Sequence, residues 1–536
     1  MSFLGEDTLP TLLNKIKSTF QFINDENLDT SDKTIVGAIN ELEDKKLDLE
    51  NYYALQRTRK VYTVRWPKWE TSQISTCEKL DDNAGLVHEN STNTTIGKSD
   101  YDNIPLFRTI DVNAYVDENG VRHVTAIKGD QNFKDTGKVD VFVMGMSYYE
   151  KFWSDDEYFY YSITDLPKEG YTIAQECKNR DGSIQPFALY AKYVGGEIDG
   201  IMYSSKGLIP KYKAPSYNWN IENFSKKGSF YTGALLCEYK MINLFYMLMT
   251  GKRNSQDGIN GCWNYNFQYQ VSQTEEDTNR VILTKAQANN FVIDGPVTLG
   301  DPGENTNLDR YYDYMRNIVE YATITKIEDI DDTYSAVYLD CEPFTTTEKT
   351  YISSWYYKSG FSDKCLGRCG CPGDFSGKYP MVWRGIELAV GGYEVPGNAF
   401  MDIVDETGRR EAYVTNDATK LTTNITTAKA NYKKSQLSIQ PTTLGNWNYI
   451  TEMQVDIENG AFLPTQAGQS GSGSATGFCD GLYVDTATTG QREFLVFGGL
   501  GLGVLSGLSY LHAYRGVAHS DWSILARPSI NAVIDE

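Results

Sequence analysis

A chain of 536 residues is longer than one hydrophobic core usually organises, so its length implies two or three domains. Its 40% hydrophobic and 13% aromatic content, with 38 tyrosines against 16 prolines, argues against disorder and for well-packed, strand-rich structure. The net charge of −21, from 71 acidic and 50 basic side chains, argues against nucleic acid or an anionic lipid surface as the partner.

The opening MSFLGEDTLP lacks a basic stretch followed by an apolar run, so no secretory signal is expected and synthesis should end in a cytoplasm. Leu9, Leu12, Leu13, Ile16, Phe20 and Ile23 recur at steps of three and four, which predicts a helix. A second helix follows, with Ser31 or Asp32 as its N-cap. Its apolar stripe of Val36, Ile39, Leu42 and Leu49 approximates a short coiled-coil seam and predicts an attachment or oligomerisation segment over 1–56.

Beyond Tyr62 the pattern changes to alternation. FRTIDVNAYV and KVDVFVMGMSYYEKF read as strands separated by turns such as DENG at Asp117 to Gly120, giving a β-rich part over 57–210. From Tyr231 to Met249 the chain is apolar on nearly every side, which predicts a buried helix closed by Gly251 as a left-handed cap. The most apolar stretch, Phe494 to Leu508, contains five glycines between polar flanks and reads as buried strand and turn, with no insertion into a membrane. Nine irregularly spaced cysteines are expected as reduced thiols. Cys365, Cys369 and Cys371 could offer three thiolates to a tetrahedral ion, with Cys341 or another distant residue as the fourth ligand. The lack of any CxxC pair or nearby histidine argues against it, and no metal or cofactor is expected.

Several segments carry a resemblance. SDKTIVGAINEL is similar to a helical stretch near the N-termini of phage tail and other virion proteins. FSKKGSFYTGALLCEYKMINLFYMLMTGKRNSQ resembles the helix and following turn of phage tail proteins that carry a C-type-lectin-like domain related to the formylglycine-generating-enzyme fold. MVWRGIE at Met381 to Glu387, GFCDGLYV at Gly477 to Val484, and FGGLGLGVLSGLSYLHAYRGVAHSDWSILARPSI follow in that family's order. After RGIE the chain departs, reading LAVGGYEVPGN where the family has an Asn-Pro-Phe-Gly-like turn.

The resemblance implies an α+β architecture: a helical N-terminal segment followed by a C-type-lectin-like body, with irregular, loop-rich antiparallel sheets and the lectin-like domain itself over 211–536. It implies a virion structural protein made in a bacterial cytoplasm, a tail-fibre or receptor-binding subunit, assembled as a homotrimer. Its partners would be other virion proteins of the tail, baseplate or portal-proximal region and a host-cell surface glycan or protein. A head-fibre, decoration or internal assembly subunit is the alternative role.

Residue chemistry then places the candidate sites. Trp383, Arg384, Gly385, Ile386 and Glu387 form a structural motif in which Arg384 and Glu387 are expected to satisfy one another, leaving Trp383 and Ile386 for the core. Tyr510, His512 and Tyr514 alternate with Leu511 and Ala513, which puts three rings on one strand face. With Arg515, His519, Asp521 and Trp522 nearby, that face is the expected ligand surface, able to stack on sugars and to donate and accept hydrogen bonds.

No catalytic residue is expected. Copper-dependent relatives hold their metal with two nearby cysteines, whereas the C-terminal region here has Cys479 alone. No nucleophile elbow, GxGxxG, Walker or HExxH motif is present. The adjacent pairs Asp155/Asp156 and Asp331/Asp332 could serve glycoside hydrolysis in a polysaccharide depolymerase, but adjacent acidic residues more commonly form solvated turns.

Overall fold

The computed structural model describes residues 56–68, 75–468 and 477–532. The two helices expected at the N-terminus, and with them Val36, Ile39, Leu42 and Leu49, lie outside the described residues, as does the segment 469–476, rich in glycine and serine. What is described is a sheet-rich fold of antiparallel and mixed sheets with few helices.

The described residues of 57–210 form two larger antiparallel sheets and one two-stranded hairpin, Gly196–Ile198 with Ile201–Tyr203. One has four strands in the order Arg122–Ile127, Thr109–Val116, Val141–Met146, Phe187–Ala191, and the other has five centred on Val61–Pro67 and Tyr158–Thr164. The DENG turn closes the first hairpin: Asp117 exchanges backbone hydrogen bonds with Gly120 and Val121, and Gly120 takes the φ of +83° that favours glycine. A six-stranded antiparallel sheet from Gln268–Gln270 to Tyr351–Ser354 carries its own apolar cluster. An eleven-stranded mixed sheet takes most of the chain from Tyr393 to Leu525.

Among the described residues four α-helices accompany these sheets: α1 (Tyr217–Phe224), α2 (Leu236–Thr250), α3 (Lys285–Ala288) and α4 (Ile425–Asn431). Every residue of α2 from Leu236 to Met249 is buried, as its unbroken apolarity requires, and Gly251 caps it at φ +67° with its N–H donating to the Met247 carbonyl. The helix packs on the strand Ala461–Gly468 and on Val61–Pro67, so one cluster runs from Tyr62 to Ile530 and joins residues on both sides of position 210. The glycine-rich stretch after Phe494 is short strand and turn, with Phe494 to Leu500 buried, and no helix among the described residues is long and apolar enough to cross a membrane.

The RGIE segment forms a hairpin. Met381–Trp383 pairs with Ile386–Leu388, and Arg384 (φ +51°) and Gly385 (φ +87°) are the two-residue loop, both left-handed as a primed hairpin turn requires. Trp383 and Ile386 are buried. The expected pairing of Arg384 with Glu387 does not occur. Arg384 lies 3.8 Å over the Phe245 ring of α2, while Glu387, also buried, accepts backbone N–H groups of Gly360 and Ser362 at 2.9–3.1 Å. The reason is geometric: Arg384 belongs to the loop, whereas Glu387 sits back in the strand opposite Val382, so each charge finds a separate buried partner.

Phe245 is the centre of this arrangement, with Phe107 and Tyr148 at 5.5 and 5.2 Å from its ring. Phe245→Ala should therefore destabilise the fold by about 3–5 kcal/mol, read as a lower denaturant midpoint, because a cavity opens and Arg384 loses its aromatic partner.

Candidate functional site

The strand Leu511–Ala513 is the structural basis of the site. It lies between Gly481–Val484, to which it is parallel, and Leu495–Val496, to which it is antiparallel. Its alternation is as expected: Leu511 and Ala513 enter the core against α2, and the rings turn to the other face.

Register extends that face across three strands. Trp447 pairs with Tyr483, and Tyr483 pairs with His512. Tyr483 and His512 stack at 5.2 Å and 16°, Trp447 meets Tyr483 edge-on at 4.9 Å, and Tyr514 closes the row 5.6 Å from Tyr483. Tyr393 lies behind, 5.9 Å from Tyr510 and 6.1 Å from His512. Exposure rises along the strand, from 1% at Tyr510 to 42% at Tyr514. The expectation of three surface rings is corrected here: Tyr510 is a buried support, because Tyr393 and Trp447 pack over it.

The turn after Tyr514 adds the polar groups. The Arg515 guanidinium stands 4.9 Å over the Tyr514 ring, and His519 Nε2 lies 4.0 Å from an Asp521 carboxylate oxygen. His512 Nδ1, His519 Nε2 and Asp521 Oδ1 are buried without a hydrogen-bond partner among the described residues. Such atoms carry a desolvation cost. Trp522 is separate. It stacks on Trp355 at 5.3 Å, with Arg310 5.3 Å from its ring, and packs against the cluster of the six-stranded sheet.

Electrostatics keep the row neutral. Burial, reinforced by the charges of Arg515 and His519, pushes the His512 imidazole down to about 3, and burial with Arg515 lowers His519 as well. The face therefore combines neutral aromatic rings with one guanidinium and one carboxylate at its edge, an arrangement suited to stacking on a neutral, hydroxyl-rich ligand.

Trp447, Tyr483 and Tyr393 belong to the site but were not singled out in the sequence. The available signal was local: Leu482, Tyr483 and Val484 repeat the apolar–ring–apolar pattern of Leu511, His512 and Ala513. The other candidate residues sit in separate local surroundings. The Cys365 thiol faces the Ser91 carbonyl, Cys369 Sγ accepts the Arg384 N–H, and Cys371 faces the Asp374 carbonyl. No group of three or more metal-ligating side chains converges among the described residues, and all nine cysteines are free thiols. Asp155 and Asp331 each accept two backbone N–H groups of their own turns.

No protein-family model matches the sequence, and no curated protein matches it.

The depressed His512 value has a measurable consequence. The folded state refuses a proton that the unfolded chain accepts below about 6.5, so stability falls as pH drops from there toward about 3. His512→Phe removes this dependence, and urea midpoints should show the variant gaining on the wild-type chain between pH 7 and pH 4; parallel curves would contradict the assignment.

Proposed function

We propose that this chain is a structural subunit of a bacteriophage particle, a tail-fibre or receptor-binding protein with a C-type-lectin-like body, and that the Trp447–Tyr483–His512–Tyr514 row holds a host-surface glycan. The observation that carries the reading is this row: registered, uncharged rings of graded exposure, edged by the Arg515 guanidinium. Sugar rings present apolar faces to aromatic side chains and hydroxyls to such groups.

The lectin-like part of the proposal is supported by how the resembling segments assemble. α2 packs against the strand Ala461–Gly468, the RGIE hairpin sets Arg384 on α2, Gly481–Val484 pairs with Leu511–Ala513, and Pro528–Ser529 pairs with Thr232–Gly233 just before α2. Segments distant in sequence thus form one body around one helix. The role is one of binding, without catalysis, and Asp155 and Asp331 serve as turn caps. Homotrimer formation through the stripe of Val36, Ile39, Leu42 and Leu49 would multiply weak glycan contacts into firm attachment.

Binding of the purified chain to intact bacterial cells and to a panel of their surface polysaccharides tests this. Trp447→Ala with Tyr514→Ala should weaken saturable binding about 5- to 150-fold, from the loss of about 1–3 kcal/mol of stacking, while circular dichroism stays unchanged. Undiminished binding by the folded double variant would remove the row from the proposal. Tight association with another virion protein and no cell binding would favour the assembly role.

A further inference from the structure

Rings reach the surface at a second place beside the turn from Arg515 to Trp522. Among the described residues four tyrosines are more than a third exposed: Tyr115, Tyr311, Tyr312 and Tyr514, at 43%, 43%, 38% and 42%. Tyr115 stacks on His123 in the four-stranded sheet. Tyr514 opens the turn, and Tyr311 and Tyr312 belong to the segment DRYYDYMRN, Asp309 to Asn317, between two strands of the six-stranded sheet, Pro296–Gly300 and Val319–Asp329.

Two buried arginines fix that segment from beneath. Arg310 donates to the Asn266 side chain and the Phe267 carbonyl, and Arg316 donates to the Arg310 carbonyl and to Asp313. Between them the rings form a shelf: Tyr312 and Tyr314 stack at 5.1 Å and 4°, and Tyr311 meets Tyr312 edge-on at 5.8 Å. Two contacts join the shelf to the turn. Lys213 donates its backbone N–H to the Asp521 carbonyl at 3.2 Å, and its ammonium stands 4.6 Å over the Tyr311 ring and 2.7 Å from Asp313. The Arg310 guanidinium lies 5.3 Å from the Trp522 ring.

We propose that the shelf of Tyr311 and Tyr312 is a second subsite of the binding surface, and that the ligand is a polysaccharide segment of several sugars lying from the row across the Asp521 turn to the shelf. This rests on the reading of the row as a glycan site. Along that path the chemistry runs ring, polar, ring: Tyr514 at one end, Arg515, Asp521 and Lys213 between, Tyr311 and Tyr312 at the other. A chain of sugars presents apolar faces unit by unit with hydroxyls around them, so it can rest on rings at both ends and exchange hydrogen bonds between them, whereas a single sugar covers one end only. The arginines hold the shelf before the ligand arrives, which spares the cost of ordering it. Once the row is occupied, contact with the shelf is intramolecular, so the gain in affinity belongs only to chains long enough to span both.

Calorimetric titration of the full chain with polysaccharide released from the surface of the bacterial cells it binds, intact and as mild-acid fragments of one or two sugars, tests this. Tyr311→Ala with Tyr312→Ala should weaken binding of the intact polysaccharide by about fivefold or more and leave fragment binding unchanged. Trp447→Ala with Tyr514→Ala should weaken both, and Tyr115→Ala neither. Tyr312→Ala alone, which leaves Tyr311 beneath Lys213, replaces the pair if circular dichroism shows the pair misfolded. Intact polysaccharide bound equally by the shelf variant and the wild-type chain, with the row variant impaired, would overturn the second subsite and leave the row standing. Equal loss of both ligand sizes in the shelf variant would also overturn it. Undiminished binding by the row variant, or no polysaccharide bound by the wild-type chain, would remove both readings. Lost self-association of the shelf variant in sedimentation velocity, with polysaccharide binding intact, would overturn the proposal by making the shelf an interface between copies.

Discussion

The guanidinium of Arg527 is the contact on which the rest of the body depends. It is 2% exposed, and its bonds use all five of its donors: two to the Glu394 carboxylate at 2.8 and 3.0 Å, and one each to the carbonyls of Ala191, Lys192 and Glu387. Glu394 also accepts the Tyr239 hydroxyl of α2 at 3.1 Å. One cation therefore ties together the four-stranded sheet, the RGIE hairpin, the central helix and the C-terminal segment. A buried charge left with any of these partners missing costs several kcal/mol, so the pieces are held in place together.

The same contact positions the aromatic row. Glu394 pairs with Val496 and with Leu525, and its neighbour Tyr393 pairs with Ile524. Fixing Glu394 thus fixes Tyr393, which lies over Tyr510 and beside His512. A second network performs the equivalent task on the other side of the hairpin. Asp111, though buried, is held well below the usual carboxylate range by Arg368 and Lys192, and Lys192 continues to Asp363 at 2.8 Å. Loops that lack ladder partners are held in this way by buried charge.

Local physics was legible in the sequence, and long-range register was not. α2 could be read because apolarity on all sides has one meaning in a helix of that length, and the DENG turn because its glycine needs positive φ. Arg384 and Glu387 were misread as partners because adjacency in sequence says nothing about which residue occupies a hairpin loop; the Trp383–Ile386 pairing decides that. The alternation at Tyr510, His512 and Tyr514 was visible, but the burial of Tyr510 depends on Tyr393 and Trp447, which arrive from distant strands. Trp522 looked like part of the same site from its position eight residues after Tyr514, yet its ring turns to Trp355 in another cluster.

The abundance of tyrosine follows from how this body uses rings at two depths. Beneath α1 and α4, Tyr217, Phe400 and Tyr432 form a small closed cluster, with Phe400 and Tyr413 stacked at 5.3 Å and 4° and the Tyr217 and Tyr432 hydroxyls 2.7 Å apart. That cluster reaches Leu495 and Tyr393, and Tyr393 is also the first ring behind the row. Apolar packing joins the two groups of rings, and their cover differs. Where helices lie over the rings the phenol oxygens find each other. Where the cover is the short turn from Arg515 to Asp521, rings reach the surface and the adjacent polar atoms are left without protein partners. A rigid stacked base of this kind holds the exposed edge at Tyr514 in one geometry, so that a ligand need not order the rings it binds.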